Sequence, residues 1–208
     1  MARTATPAGD PDAPVDTRRD QMLDAAAELI AERGLSRTRI ADVAARVGTS
    51  PALVMYYFAT KDELLIEALR HSEAGFYQAA EELLDRPATL GERLATLVDL
   101  TITVESQGEV RGHWGLWFDL WAEAFRHPEV ARDRRALDEQ WRDLVRRVVE
   151  AGINSGEIGE IDVQTFAVTW TALLDGLAVQ VALHDEVVTP ERARDIALDF
   201  AAGALGLA

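Results

Sequence analysis

The chain has 208 residues, 48% of them hydrophobic and 27% charged, an ordinary balance for one large or two small globular domains with a buried core. It has no cysteine, which excludes disulfides, thiolate metal sites and cysteine nucleophiles, and its four histidines, at 71, 113, 127 and 184, lack metal-ligand spacing. Net charge is −15, yet Arg33 to Lys61 carries five basic residues against one acid, so this segment is +4 and everything else −19; a polyanion is repelled except there.

Residues 1–16 are rich in Ala, Pro, Gly, Asp and Thr and lack both apolar periodicity and the apolar core of a secretory signal, so a disordered tail is expected. Beyond it no stretch approaches the roughly 20 uninterrupted apolar residues of a membrane helix. A soluble, cytoplasmic chain without membrane contact is the expectation. From the tail onward the pattern is helical, and an all-α fold of about nine helices follows. The first helix, capped at Asp16 or Thr17, buries Leu23, Ala26, Ala27 and Ile30 at i, i+3, i+4 and i+7 and stops at Gly34. A short second helix after a Thr38 cap puts Ile40, Val43, Ala44 and Val47 on one side and stops at Gly48. The third opens with Ser50 as cap and Pro51 in the first turn, where a missing N–H is harmless, and ends near Tyr57. Thr60-Lys61-Asp62-Glu63 then has capping-box form and launches a long helix toward Leu84. Five further helices are expected over about 89–106, 109–126, 129–152, 163–184 and 190–205, separated by Gly108, His127-Pro128, the Gly152 to Gly159 loop and Thr189-Pro190.

The segment from Val43 to Phe58 carries the chemistry. Ala44 is small where a second helix crosses, Gly48 sits at a turn that needs positive φ, and Val54 anchors the next helix; this is helix-turn-helix spacing. It coincides with the basic island. The third helix, with Ser50 and Pro51 at its start, offers backbone N–H groups and a positive dipole end to phosphate. Arg39 either bonds a base or phosphate or holds helix to helix, and its position leaves both open.

The run from Thr17 to Leu65 resembles the DNA-binding domain of the TetR family of bacterial transcriptional regulators. The landmarks are an Ala-rich first helix ending in Glu32-Arg33-Gly34, the Val43-Ala44 pair, Gly48 with Ser50, Tyr57-Phe58, and Lys61 before two acids and Leu64. More loosely, Trp117 to Asp185, above all Ala172-Leu173-Leu174-Asp175-Gly176-Leu177, looks like the C-terminal domain of the BetI-like branch. The resemblance implies a homodimer whose third helices enter successive major grooves of double-stranded DNA. It also implies a larger C-terminal domain that binds a small-molecule effector and relaxes that grip, and repression rather than activation. It turns Thr49, Ser50, Pro51, Ala52 and Leu53 toward base edges and gives phosphate contacts to Tyr57 and to Lys61, the only lysine in the chain. Where the family often has Tyr this chain has Met55, with Tyr56 as the substitute. Pro51, Ala52 and Leu53 cannot form bidentate bonds to purines, so readout leans on thymine methyls, the Thr49 and Ser50 hydroxyls and DNA shape.

Trp114, Trp117, Phe118 and Trp121 fall at i, i+3, i+4 and i+7 and share one helix face, which Phe125 extends. Such a stripe is either plain core or a cavity wall; in the family it resembles, this helix borders the ligand cavity. Trp141, Phe166 and Trp170 are expected to close the opposite wall, and Phe76 with Tyr77 to reach it from the long fourth helix. With Asp119, Glu123 and Asp143 near these rings, an organic cation is the ligand the chemistry favours. The last two helices carry small residues along one side, Ala172, Gly176 and Val179 on one and Ala193, Ala197, Ala201 and Ala204 on the other, suited to a four-helix dimer interface.

The expected organisation is a tail (1–16), a three-helix helix-turn-helix DNA-binding domain (17–60) and a larger helical bundle for ligand binding and dimerisation (61–208). The expected function is a repressor that grips a pseudo-palindromic operator as a dimer and is released by a small cation, without metal or cofactor. An enzyme is disfavoured, because no Glu-x-x-His pair, phosphate loop or nucleophile elbow is present. The competing reading is a helical protein-interaction module whose basic island binds an acidic partner without sequence preference for DNA.

Overall fold

The computed structural model describes residues 15–86, 88–102, 110–126 and 128–207. The expected tail over 1–14 and the Gly108 break lie outside them. Helix α1 (Val15–Arg33) forms where Met22, Leu23, Ala26, Leu29 and Ile30 recur on one face, each at most 2% exposed. It starts at Val15, so Val15 and Asp16 belong to the helix rather than to the tail. It stops where Gly34 takes φ +84° and donates its N–H to the Ile30 carbonyl at 2.7 Å.

A single 3-10 turn (Leu35–Arg37) leads into α2 (Ile40–Arg46). Thr38 does not cap it. That residue is buried, its hydroxyl donates back to the Gly34 carbonyl at 3.0 Å, and the cap position passes to Arg39, whose N–H donates to Asp42 Oδ2 at 3.2 Å. In α3 (Pro51–Tyr57) the Ser50 hydroxyl accepts the Leu53 N–H at 3.2 Å, as its cap spacing requires. The Thr60 hydroxyl does the same for the Glu63 N–H at 3.0 Å and opens α4 (Lys61–Leu84), while the Glu63 carboxylate accepts the Ala59 N–H at 2.8 Å.

The remaining elements are α5 (Leu90–Ile102), α6 (Val110–Arg126), α7 (Pro128–Ser155), α8 (Val163–Ala182) and α9 (Pro190–Leu205), the last capped by Thr189. Among the described residues there are nine α-helices and no strand. The fold is all-α.

Two apolar cores divide the molecule. The first joins Leu23, Ile30, Val43, Ala44, Val54 and Phe58 to Leu64 and Ala68 of α4, and extends to Leu120 of α6 and Leu137 of α7. The second packs α5, α7, α8 and α9 around Leu97, Val145, Trp170, Leu174 and Ala197, and takes in Ala80 of α4. Helices α4 and α7 therefore run through both. Ala193, Ala197 and Ala201 are buried within the chain, so the small side of α9 packs inward and not toward a second copy; Ile196 and Phe200 are on the outside. Helix α8 is long and apolar enough to cross a membrane by length and composition, although Thr165, Thr169, Thr171 and Asp175 interrupt its apolar run. Its apolarity has a local use, since Phe166, Ala167, Trp170, Leu174, Leu177, Ala178 and Val181 are all buried against neighbouring helices.

Candidate functional site

The turn between α2 and α3 is built by backbone demands. Gly48 adopts φ +70°, which a side chain disfavours, and the Thr49 N–H donates to the Ala44 carbonyl at 2.8 Å. A seven-residue helix such as α3 has no stability of its own. It is held by Val54 and Phe58, both fully buried, and each such side chain contributes roughly 1.5–3 kcal/mol. Anchored that way, α3 turns Pro51, Ala52, Met55 and Tyr56 to solvent, with Tyr56 82% exposed. Ser50 is exposed, Thr49 and Tyr57 are half-buried, and Leu53 packs partly into the first core. The Tyr56 and Tyr57 rings meet edge to face at 5.6 Å.

The basic island is smaller in three dimensions than in sequence. The Arg46 guanidinium joins Glu28 at 2.7 Å and Glu32 at 2.9 Å, tying α2 to α1, and Glu32 holds its pKa above the ordinary arginine value. Arg33 faces Glu32 and Asp42, each at 3.8 Å. Arg37, Arg39 and Lys61 enter no ion pair among the described residues, and Lys61 is the first residue of α4, shortly after the end of α3.

The second site is a partly open cavity of about 190 Å³ lined by α4, α5, α6, α7 and α8. Trp114, Trp117, Trp121 and Trp141 line it. On α6 the ring centroids of Trp114 and Trp117 lie 6.2 and 6.0 Å from that of Trp121. Tyr77 of α4 lines it as well, whereas Phe118, Phe125, Phe166 and Trp170 do not. Phe118 packs beside this cluster, 6.0 Å from Trp121. Phe166 and Trp170 stack on each other at 5.8 Å in the second core, where the Trp170 indole N–H donates to the Ala197 carbonyl at 3.0 Å. Phe125 is 94% exposed, and the Phe76 side chain lies outside the described residues.

The acids of the wall also differ from the expected ones. Asp119 turns toward Gly34 at the end of α1, Asp143 pairs with Arg146, and the Glu123 side chain is outside the described residues. The carboxyls that do line the cavity are Glu73 of α4, Asp138 of α7 and Asp175 of α8, with Tyr77, Arg134 and Arg142 among them. Apart from Tyr77, sequence reasoning missed these. A signal existed, since Arg134, Asp138, Trp141 and Arg142 recur at i, i+4, i+7 and i+8, as do Val168, Thr171, Ala172 and Asp175 at i, i+3, i+4 and i+7.

Burial governs the electrostatics. It pushes Glu73 up to about 8, against a hydrogen bond donated by Trp117, and pushes Tyr77 up as well. Asp175 rises to about 6 through burial and the neighbouring Asp138. Burial also raises Asp138, although Arg134 binds it at 2.7 Å. Two buried donors of wall residues, Trp121 Nε1 and Arg134 Nε, have no partner among the described residues.

Comparison with known proteins matches two segments of the chain to recognised units. Residues 22–68 match the bacterial regulatory proteins of the tetR family, and residues 90–206, more than half of the chain, match the C-terminal domain of BetI-type transcriptional repressors. The chain belongs to the TetR family. TetR-family proteins are DNA-binding transcriptional regulators and not enzymes, which sets aside the catalytic and interaction-module readings. The chain is 28% identical to the HTH-type transcriptional regulator BetI of Brucella anthropi over 120 residues, 58% of this chain and 59% of that protein. It is 26% identical to BetI of Rhizobium meliloti over 183 residues, 88% of this chain and 87% of that one. Among solved structures, a transcriptional-regulator structure from Saccharomonospora viridis in complex with choline is 29% identical, with a TM-score of 0.79 over 89% of this chain and 95% of that chain.

Proposed function

We propose that this TetR-family chain is a cytoplasmic repressor that grips a pseudo-palindromic operator as a homodimer and releases it when a small organic cation fills the cavity. The observation that carries the reading is the cavity wall, in which four tryptophans surround three carboxyl groups and only two arginines. Aromatic faces attract a cation by cation–π terms, the third carboxyl group can ionise beside it, and the acidic body of the protein concentrates cations around the cavity. The similar regulator solved with choline supports the same ligand chemistry.

Residues 17–60 form the DNA-reading part and residues 61–208 the sensing and dimerising part. In the complex Lys61, Tyr57 and Tyr56 hold phosphates, Arg39 reaches a phosphate or base, and Thr49, Ser50, Pro51, Ala52 and Leu53 face base edges. Two copies meet through the outer faces of α8 and α9, where Gly176, Ile196 and Phe200 are exposed. Helix α6 links sensing to release. Its tryptophans line the cavity while Leu120, on the same helix, packs in the core that holds α1, α2 and α3. A ligand that shifts α6 therefore shifts the base of the reading head.

Selection of bound duplexes from a random pool, with and without choline, tests the reading. The expected result is a pseudo-palindromic consensus that choline or tetramethylammonium disperses and organic anions do not. Absence of any consensus at low salt sinks the operator, and release by anions alone sinks the cation.

A further inference from the structure

This inference rests on the cationic-effector reading and goes beyond it. We infer that Glu73 is the charge that meets the cation, and that entry of the cation expels the carboxyl proton of Glu73 into solvent.

Glu73 stands midway along α4, is 6% exposed, and contributes to the cavity wall. The Trp117 indole N–H donates to it, and the Trp117 ring lies 6.0 Å from that of Trp121 at a 50° tilt, so the carboxyl adjoins the aromatic side of the cavity. A carboxylate in such a dry wall is destabilised while the cavity holds no cation, and burial accordingly keeps Glu73 protonated up to about pH 8. A quaternary ammonium has no proton to give. When it arrives the carboxylic acid becomes a carboxylate beside the fixed positive charge, and the proton leaves to the buffer, so charge balances.

The other charged groups around the cavity do not supply this proton. From α7, Arg134 pairs with Asp138 at 2.7 Å and Arg142 with Glu139 at 2.9 Å. From α8, Asp175, pushed up to about 6, is mostly ionised at neutral pH. Tyr77, on α4 itself, is raised by burial and by Glu73 and stays protonated throughout. Helix α5 brings Leu100 and Thr101, which do not titrate, and Asp119 of α6 turns toward Gly34. Behind α4, α1 sets Asp20 and Asp24 around His71 and pairs Arg19 with Glu67, away from the cavity.

Effector affinity then rises with pH, by about tenfold per unit below the Glu73 pKa, and levels off above it. Titration calorimetry of the full-length protein with choline, in two buffers of different ionisation enthalpy, reads the proton directly. At about pH 7 the expected result is release of about one proton per site, none with the neutral carbon isostere of choline, and none with Glu73→Gln. Asp175→Asn keeps the release. Glu73→Gln is expected to bind choline at least about tenfold more weakly with its affinity independent of pH. Choline binding to the wild-type protein without proton release overturns the Glu73 assignment and leaves the effector reading standing. Failure of choline and tetramethylammonium to bind at all overturns the effector reading itself. The proton count on the wild-type protein stands whether or not the variant folds.

Discussion

Arg46 donates to both carboxylate oxygens of Glu32, at 2.9 Å each, across the contact between α2 and α1. A residue that belongs to the basic island by position is thus a brace between helices by geometry. Lys61, by contrast, enters no ion pair among the described residues and opens α4. Replacing Arg46 by Met should lower stability by less than about 1 kcal/mol, the range of exposed ion pairs, and leave the salt slope of DNA binding unchanged. Lys61→Ala should reduce that slope by about 1 on every sequence. Anisotropy titrations over a potassium chloride series measure both; a changed slope only in the Arg46 variant reverses the assignment.

Two tryptophans one helix apart should respond oppositely to the same substitution. Trp170 is fully buried and satisfies the Ala197 carbonyl, so Trp170→Phe should lower stability by roughly 1–3 kcal/mol while effector affinity holds. Trp121 lines the cavity with an indole N–H that has no partner among the described residues, so Trp121→Phe should change stability little. Its loss should weaken binding of a cation by roughly 0.5–2 kcal/mol. Thermal melts and choline titrations of both variants separate the roles.

The pH dependence of stability follows from the same buried acids. A carboxyl whose pKa is higher in the folded chain than in the unfolded one stabilises the fold most at low pH, where both states are protonated. That contribution is lost as pH rises through the folded value. For Glu73 the window runs from 4.5 to about 8, and for Asp175 from 3.8 to about 6. Without effector, the stability of Glu73→Gln should therefore overtake that of the wild-type protein as pH rises through this window, with a difference of roughly a few kcal/mol at its top, read from melting curves. Equal melting curves at alkaline pH contradict this.

Helices α5 and α7 approach so closely that a Cβ on Gly152 would stand 2.6 Å from Leu90 Cδ2 and 3.2 Å from Leu90 Cγ. Leu90 is itself buried and has little room to yield. Overpacking of this kind costs roughly 1–3 kcal/mol, against a helix-propensity gain of about 1. Gly152→Ala should therefore lower stability, whereas Gly91→Ala, with nothing within 4 Å, should not. Urea denaturation of the two variants compares them.

Features decided within one turn of chain are legible in the sequence. Ser50-Pro51, Thr60 with Glu63, Thr189-Pro190 and the two glycines at 34 and 48 each mark a helix end by local chemistry, and each does so in the folded chain. What depends on which helix crosses which is not. Thr38 reads as a cap because nothing nearby in sequence says that it is buried. Phe166 and Trp170 share the helical period of a cavity wall, yet periodicity cannot say that this side of α8 faces the second core. Glu73, between Ser72 and Ala74, reads as part of a solvated face until Trp117 is laid against it.

Helix α4 carries Lys61 at its first position and Glu73 twelve residues later, one unbroken rod of 24 residues. At 1.5 Å per residue those two side chains are about 18 Å apart along the axis. With the middle as fulcrum, a swing of about 6° displaces the far end by about 2 Å, more than the length tolerance of a phosphate hydrogen bond. The hydrogen bonds that keep the rod straight make it a lever arm, so a rotation of a few degrees begun beside Glu73 would arrive at Lys61 as a displacement of ångströms.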